Sequence, residues 1–226
     1  MTANVEEVVI GILGGTGDQG RGLAHRFARA GHRVIIGSRS EERALTAAGE
    51  LAGSLPVGSA GSVDGMTNAG TSRNADVVIA AIPWEGHAEL LGSLASDLAG
   101  KIVIDCVNPL GFDAKGAYAL PVPEGSAAQQ AAAVLPDSTV VAAFHHVSAK
   151  LLLDAEVDTI DLDVLVLGDN REATDLVQAL AGRIHGVRGV YAGRLRNAGQ
   201  VEALTANLVS INRRYKAHAG LRVTDI

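Results

Sequence analysis

The stretch Val8–Arg43, VVIGILGGTGDQGRGLAHRFARAGHRVIIGSRSEER, decides the fold. Val8–Leu13 is a short run of β-forming apolar residues, suited to a strand covered on both faces of a parallel sheet. Gly15, Gly17 and Gly20 follow in GxGxxG spacing. After them Leu23, Ala24, Phe27 and Ala28 recur at helical intervals up to Gly31, placed as a C-cap. Glycines that join a strand to a helix in this spacing form a dinucleotide-binding turn. Gly15 serves the tight turn, Gly17 lets backbone amides reach a pyrophosphate, Gly20 lets the helix pack closely, and the helix amino end attracts the anion.

The next strand, Arg33–Ile36, selects the nucleotide. A site for NAD ends this strand in a carboxylate that holds the ribose 2′-hydroxyl. Here it ends in Gly37, Ser38 and Arg39, with Arg43 one turn further on. A hydroxyl and two guanidiniums suit a 2′-phosphate, so NADP is the expected cofactor. The competing reading makes Arg39 and Arg43 surface charges paired with Glu41 or Glu42.

Composition narrows the classes. A chain of 226 residues, 47% hydrophobic, holds one full α/β domain and a modest appendage. A net charge of −6 without a long basic run argues against nucleic acid. The single cysteine, Cys106, excludes a disulfide framework and suits a reducing cytoplasm. No apolar run reaches membrane-spanning length, and Met1–Glu7 is polar rather than signal-like, so neither membrane insertion nor export is expected. Adjacent His145 and His146 lack a third metal ligand at suitable spacing.

Further along, Ala44, Leu45, Ala48 and Leu51 read as a helical stripe, Pro56–Ala60 as a third strand, and Asp76–Ile82 as a buried strand stopped by Pro83. Trp84, the only tryptophan, either covers a cofactor or fills the first turn of the next helix, where His87 is read as a cap or a solvent-facing residue. Lys101–Asp105 is a strand, Gly111–Ser126 a long loop, Ala127–Leu135 a helix and Thr139–Phe144 a sixth strand. Asp163–Leu167, Arg171–Ala181 and Val187–Tyr191 add strand, helix and strand. A last helix from Asn197 carries Val201, Leu204, Leu208, Ile211 and Tyr215 on one face, a stripe suited to a homodimer interface. The expected fold is α/β: a Rossmann-like, doubly wound, mostly parallel sheet in residues 1–150, and a small C-terminal α/β elaboration in residues 151–226 ending in a long helix.

Four motifs in order, GGTGDQGRGLAHRFARAGHRVIIGSR, AAIPWEGH, AAFHHVSA and VEALTANLVSINRRY, together resemble the coenzyme F420-dependent NADP oxidoreductases over nearly the whole chain. The resemblance implies reversible hydride transfer between NADP and coenzyme F420, an 8-hydroxy-5-deazaflavin, in a homodimer. It also implies NADP contacts from Thr16, Gly17, Asp18 and Gln19, from Ser38, Arg39 and Arg43, and from Ile82, Trp84, Asn108 and Ala149. His145 and Val147 would lie against the deazaflavin, with Thr205 nearby. His146 and Ser148 depart from the Thr and Pro of an HTIPA form of the third motif, and Gly86 adds a residue between Trp84 and His87.

Such a transfer needs two rings stacked with their reacting carbons roughly 3 to 3.5 Å apart and water excluded, rather than a strong acid, base or metal. Val147 would set the separation and His145 would hydrogen-bond a ring or linker oxygen, unless His145 is a satisfied structural residue. Two rivals remain. One is another NADP-linked reductase, of ferric or flavin type. The other is a non-catalytic NADP-sensing module. No Tyr is followed four residues later by Lys, which argues against a short-chain dehydrogenase.

Overall fold

Strands of Val, Ile and Ala alternate with amphipathic helices through most of the chain, and burying both kinds of apolar face produces helices on two sides of one sheet. The structure is a computed structural model that describes residues 5–226, so part of the Met1–Glu7 stretch lies outside the described residues. In order the elements are β1 (Ile10–Leu13), α1 (Asp18–Arg29), β2 (Arg33–Ser38), α2 (Glu41–Ser54), β3 (Ser62–Thr67), α3 (Asn68–Asn74), β4 (Val77–Ala80), α4 (His87–Ser93), α5 (Ala95–Leu98) and β5 (Ile102–Asp105). A hairpin of β6 (Leu110–Asp113) and β7 (Gly116–Ala119) precedes α6 (Ala127–Val134), β8 (Thr139–Ala142) and α7 (Ala149–Leu153). The chain then forms β9 (Leu162–Gly168), α8 (Arg171–Ala181), β10 (Val187–Gly193) and α9 (Ala198–Tyr215).

Eight strands form one sheet in the order β3-β2-β1-β4-β5-β8-β9-β10. β1 to β5 and β8 are parallel, with Ile10 facing Val34 on one side and Val77 on the other. Their carboxyl ends therefore share one edge, where open α/β sheets bind ligands. β9 runs antiparallel to β8 through Val141–Gly168 and Ala142–Leu167, so its earlier residues overhang that edge, and β10 lies parallel to β9. One face of the sheet is covered by Leu23, Phe27, Leu51, Val177 and Leu180 from α1, α2 and α8. The other is covered by Leu91, Leu98, Ala128, Ala131 and Val201 from α4, α5, α6 and α9.

Four expectations are corrected. Pro56–Ala60 is a turn, closed by Ser59 N and Oγ on the Pro56 carbonyl, and the third strand is Ser62–Thr67. Its Gly65 is where α2 crosses the strand, since a Cβ there would overlap the Ala44 carbonyl carbon. Gly111–Ser126 is not wholly a loop. The hairpin turns on Asp113, whose Oδ1 accepts from Lys115 N and Gly116 N, and its strands, poor in β-branched residues, hide that structure. Leu45 is 57% exposed, because Ala47 takes the inward position on α2. On α9, Val201 and Leu208 are buried against this chain, leaving only Ile211 and Tyr215 of the apolar stripe exposed.

Candidate active site

The turn after β1 is built by short backbone links. Gly14 takes φ +66°, a left-handed conformation that favours glycine, and Gly15 N donates to the Gly37 carbonyl at 3.0 Å, tying the turn to β2. Ser40, Thr67, Ser126 and Asn170 each cap a helix with a side-chain oxygen, whereas Gly17 gives α1 no side-chain cap. The first amides of α1 are thus left for an anion. A cavity of about 690 Å³ opens there, lined by Thr16, Gly17, Asp18 and Gln19 on one side and by Ser38, Arg39 and Arg43 on another, with Ile82 at its base. Neither arginine pairs with a carboxylate among the described residues, so the pairing with Glu41 or Glu42 does not form. Open amides and two unpaired guanidiniums fit a dinucleotide carrying a 2′-phosphate.

The cavity is also lined by residues that sequence reasoning missed. Asn68 places Oδ1 3.4 Å from Gly14 N, and Glu85, Glu89 and Ser93 also line the cavity. For Glu85 and Glu89 the signal was position, within two turns after the strand-stopping Pro83. Trp84 does not line the cavity. It packs half-buried against the second core cluster, its ring 5.6 Å from that of His87. His87 is neither a cap nor solvent-facing: it is 1% exposed, with Nε2 2.7 Å from Asp105 Oδ2.

A second group of residues gathers where β8 ends. Phe144 is buried at φ +65°, strain of about 1 to 3 kcal/mol that functional turns commonly store. Its carbonyl accepts from Gln19 Nε2 at 3.3 Å, joining the two halves of the site directly. The His145 carbonyl accepts from Asn108 Nδ2 at 2.8 Å and lies 3.3 Å from Thr205 Oγ1, which also reaches Asn108 Oδ1. Asn108, His145 and Thr205, distant in sequence, thus form one polar cluster, and Gln19 bonds Phe144, the residue just before His145.

The His145 ring is 3% exposed and neither nitrogen has a partner among the described residues, so it is not a satisfied structural histidine. Burial, opposed by Asp105 and assisted by His146, pushes its pKa down to about 4 and keeps it neutral near pH 7. His146 turns toward β9, with Nε2 3.5 Å from Leu165 N, and burial pushes it too down to about 4. Val147 is buried beside them, and Ala149 begins α7. Arg26, buried in α1, pins α7 and the turn after it by donating to the carbonyls of Leu151, Leu152, Asp154 and Val157. Glu202 of α9 was also missed. It is 2% exposed and accepts from Ala127 N and Ala128 N, and burial raises its pKa to about 7 against those two amides.

Cys106 is buried with Sγ 3.1 Å from the Ala80 carbonyl, its thiol pushed up by burial and by Asp105. Among the described residues no three His, Cys, Asp or Glu side chains come together to hold a metal ion, and no helix is long and apolar enough to cross a membrane.

Residues 9–109 match the family described as NADP oxidoreductase, coenzyme F420-dependent. An F420-dependent NADP reductase of Methanothermobacter marburgensis is 39% identical over 96% of this chain and 98% of its own length. The chain belongs to this family. Another member, the F420-dependent NADP reductase of Methanocaldococcus jannaschii, is 38% identical over 96% of this chain and 98% of its own. In solved structures the same architecture occurs in a protein from Arthrobacter sp. FB24, provisionally assigned as an F420-dependent NADP-reductase. It has a TM-score of 0.80 and 26% identity, covering 96% of this chain and all of that one.

Proposed function

We propose that this chain transfers a hydride reversibly between reduced coenzyme F420 and NADP, the cell's coenzyme ratios commonly driving it toward NADPH. When both are bound, the deazaflavin and the nicotinamide supply the redox chemistry between them. What the protein supplies is position. The amides at the start of α1 and the Thr16–Gln19 turn hold the pyrophosphate, while Ser38, Arg39 and Arg43 hold the 2′-phosphate. Ile82, Asn108 and Ala149 flank the rest of the nucleotide, and Trp84, expected from the sequence to touch it, braces that wall from the core side. Val147, buried within the AAFHHVSA segment, spaces the rings and excludes water. The N–H of neutral His145 donates to an oxygen of the deazaflavin, giving a partner to one of the two unpartnered nitrogens of a buried ring.

The observation that carries this reading is the Gln19–Phe144 hydrogen bond, which ties the phosphate turn to the segment bearing His145 and Val147. Residues 151–226 then act as a small part that completes the deazaflavin side through Thr205 and the dimer face through exposed Ile211 and Tyr215. Phe112 and Tyr118 of the hairpin are exposed as well, which supports a homodimer, and the cytoplasm is its expected setting. A clean monomer in sedimentation would remove that part of the reading.

The activity is tested by mixing the protein with NADPH and oxidised F420 and following visible absorbance. Bleaching that requires both confirms the transfer. Tight NADPH binding without bleaching would instead make the chain a sensing module.

A further inference from the structure

His87 is a buried, fully engaged ionisable side chain beside the site for which hydride transfer has no stated use. It opens α4, and its two ring nitrogens meet oxygens on opposite sides: Nε2 lies 2.7 Å from Asp105 Oδ2 and Nδ1 3.0 Å from Gln130 Oε1. The orientation of the Gln130 amide is set from behind, because its Nε2 donates to Glu124 Oε2 at 3.3 Å. Two acceptors on one imidazole require two N–H donors, which is the imidazolium form. Burial pushes His87 down, but the hydrogen bond and charge of Asp105, then Gln130 and Glu202, outweigh it and raise its pKa.

The imidazolium sits behind the site and is linked to it in two directions. Its ring centroid lies 5.6 Å from that of the Trp84 indole, at 33° between planes, within cation–π range. Its partner Asp105 accepts from Val107 N at 2.9 Å, fixing the turn from which Asn108 grips the His145 carbonyl. We propose that His87 is a positioning residue. Held as an imidazolium between Asp105 and Gln130, it fixes the Trp84 indole and the Val107–Asn108 turn together, and losing its proton loosens that wall of the site. The charged or titratable groups around it are Asp105 at the end of β5, Glu124 behind Gln130 of α6, Glu202 of α9, His145, which shares the field of Asp105, and Glu85 and Glu89 near its own helix start.

The kinetic part of this inference rests on the hydride-transfer reading. The structural part does not, because Trp84 is the only tryptophan and its emission reports on His87 without turnover. A protonated imidazole quenches indole emission more than a neutral one. Titrating the protein from about pH 5 to 9 should raise the emission in one step, with a midpoint above the ordinary histidine value of 6.5, while circular dichroism stays constant. His87→Gln should abolish the step. Asp105→Asn, which keeps an acceptor for Val107 N, should move it down by about one pH unit or more. Should His87→Gln fail to fold, the Asp105→Asn shift decides alone. In turnover, His87→Gln should lower kcat about tenfold while leaving KM for NADP within about twofold. A step that survives in His87→Gln, or one that Asp105→Asn leaves in place, overturns the proposal. A fluorescence step that behaves as stated in a protein without F420 turnover would leave this proposal standing and count against the activity instead.

Discussion

The two flanks of the site are prepared in opposite ways. On the phosphate side the groups are exposed and uncommitted: an uncapped helix start, and Arg39 and Arg43 without carboxylate partners. On the far side Asn108, Thr205 and the His145 carbonyl are already bonded to one another, and His145 and Val147 are buried. The difference follows from the ligand chemistry each side has to meet. A polyanion is drawn in by free charge, and its binding energy orders the exposed side chains that receive it. Two flat rings that must stack at a set distance need walls that are fixed beforehand.

The largest expected effect tests the uncommitted side. Replacing both Arg39 and Arg43 by alanine should weaken NADP binding by about 1.5 to 3 kcal/mol for each charge-assisted hydrogen bond removed, while sparing NAD. Equilibrium titration with both nucleotides reads it, and equal weakening for the two would show that the exposed cations do not read the 2′-phosphate.

The fixed side carries a pH signature. His145 has a folded-state pKa of about 4 against an ordinary 6.5, so the folded chain resists a proton that the unfolded chain accepts. Stability attributable to this group is complete above pH 6.5 and declines as pH falls toward 4, by about 3 kcal/mol at most. Denaturant melts at pH 7 and pH 4.5 should differ less in His145→Asn than in the parent. An unchanged pH dependence would mean that the ring is hydrated in solution. NADP should not protect against this decline as well as NADP and F420 together do.

A smaller effect separates rigidity from contact. Thr205→Val keeps the shape and removes the hydroxyl that reaches Asn108 and the His145 carbonyl, at a cost of about 1 kcal/mol. If the wall acts through rigidity, the rate of single-turnover transfer falls and NADP affinity holds. A drop in NADP affinity with an unchanged rate would move Thr205 to the other flank.

What could be read in the sequence divides along the same line. The phosphate turn, the glycine spacing and the arginines after β2 are local, so neighbouring residues specify them and the string shows them. Buried strands such as Val77–Ala80 also show plainly, being apolar on both faces. The fixed side is non-local. Nothing near Asn108 in the chain announces His145 or Thr205, and the polar cluster that joins them appears only in three dimensions. His87 was misread because its partners Asp105 and Gln130 lie 18 and 43 residues away, and a helix-start histidine ordinarily faces water. The hairpin was hidden for another reason: Leu110–Asp113 and Gly116–Ala119 carry none of the β-branched residues that mark strands.

The Arg26 clamp has a consequence for how the chain is made. Its guanidinium leaves the ribosome early, on α1, while the carbonyls that receive it belong to residues 125 to 131 positions later. Until they arrive, the first helix carries an unmatched cation toward what will become the interior. Native packing of α1 is therefore expected to wait for α7, so that nucleotide turn and redox wall mature in one late, cooperative step rather than in the order of synthesis.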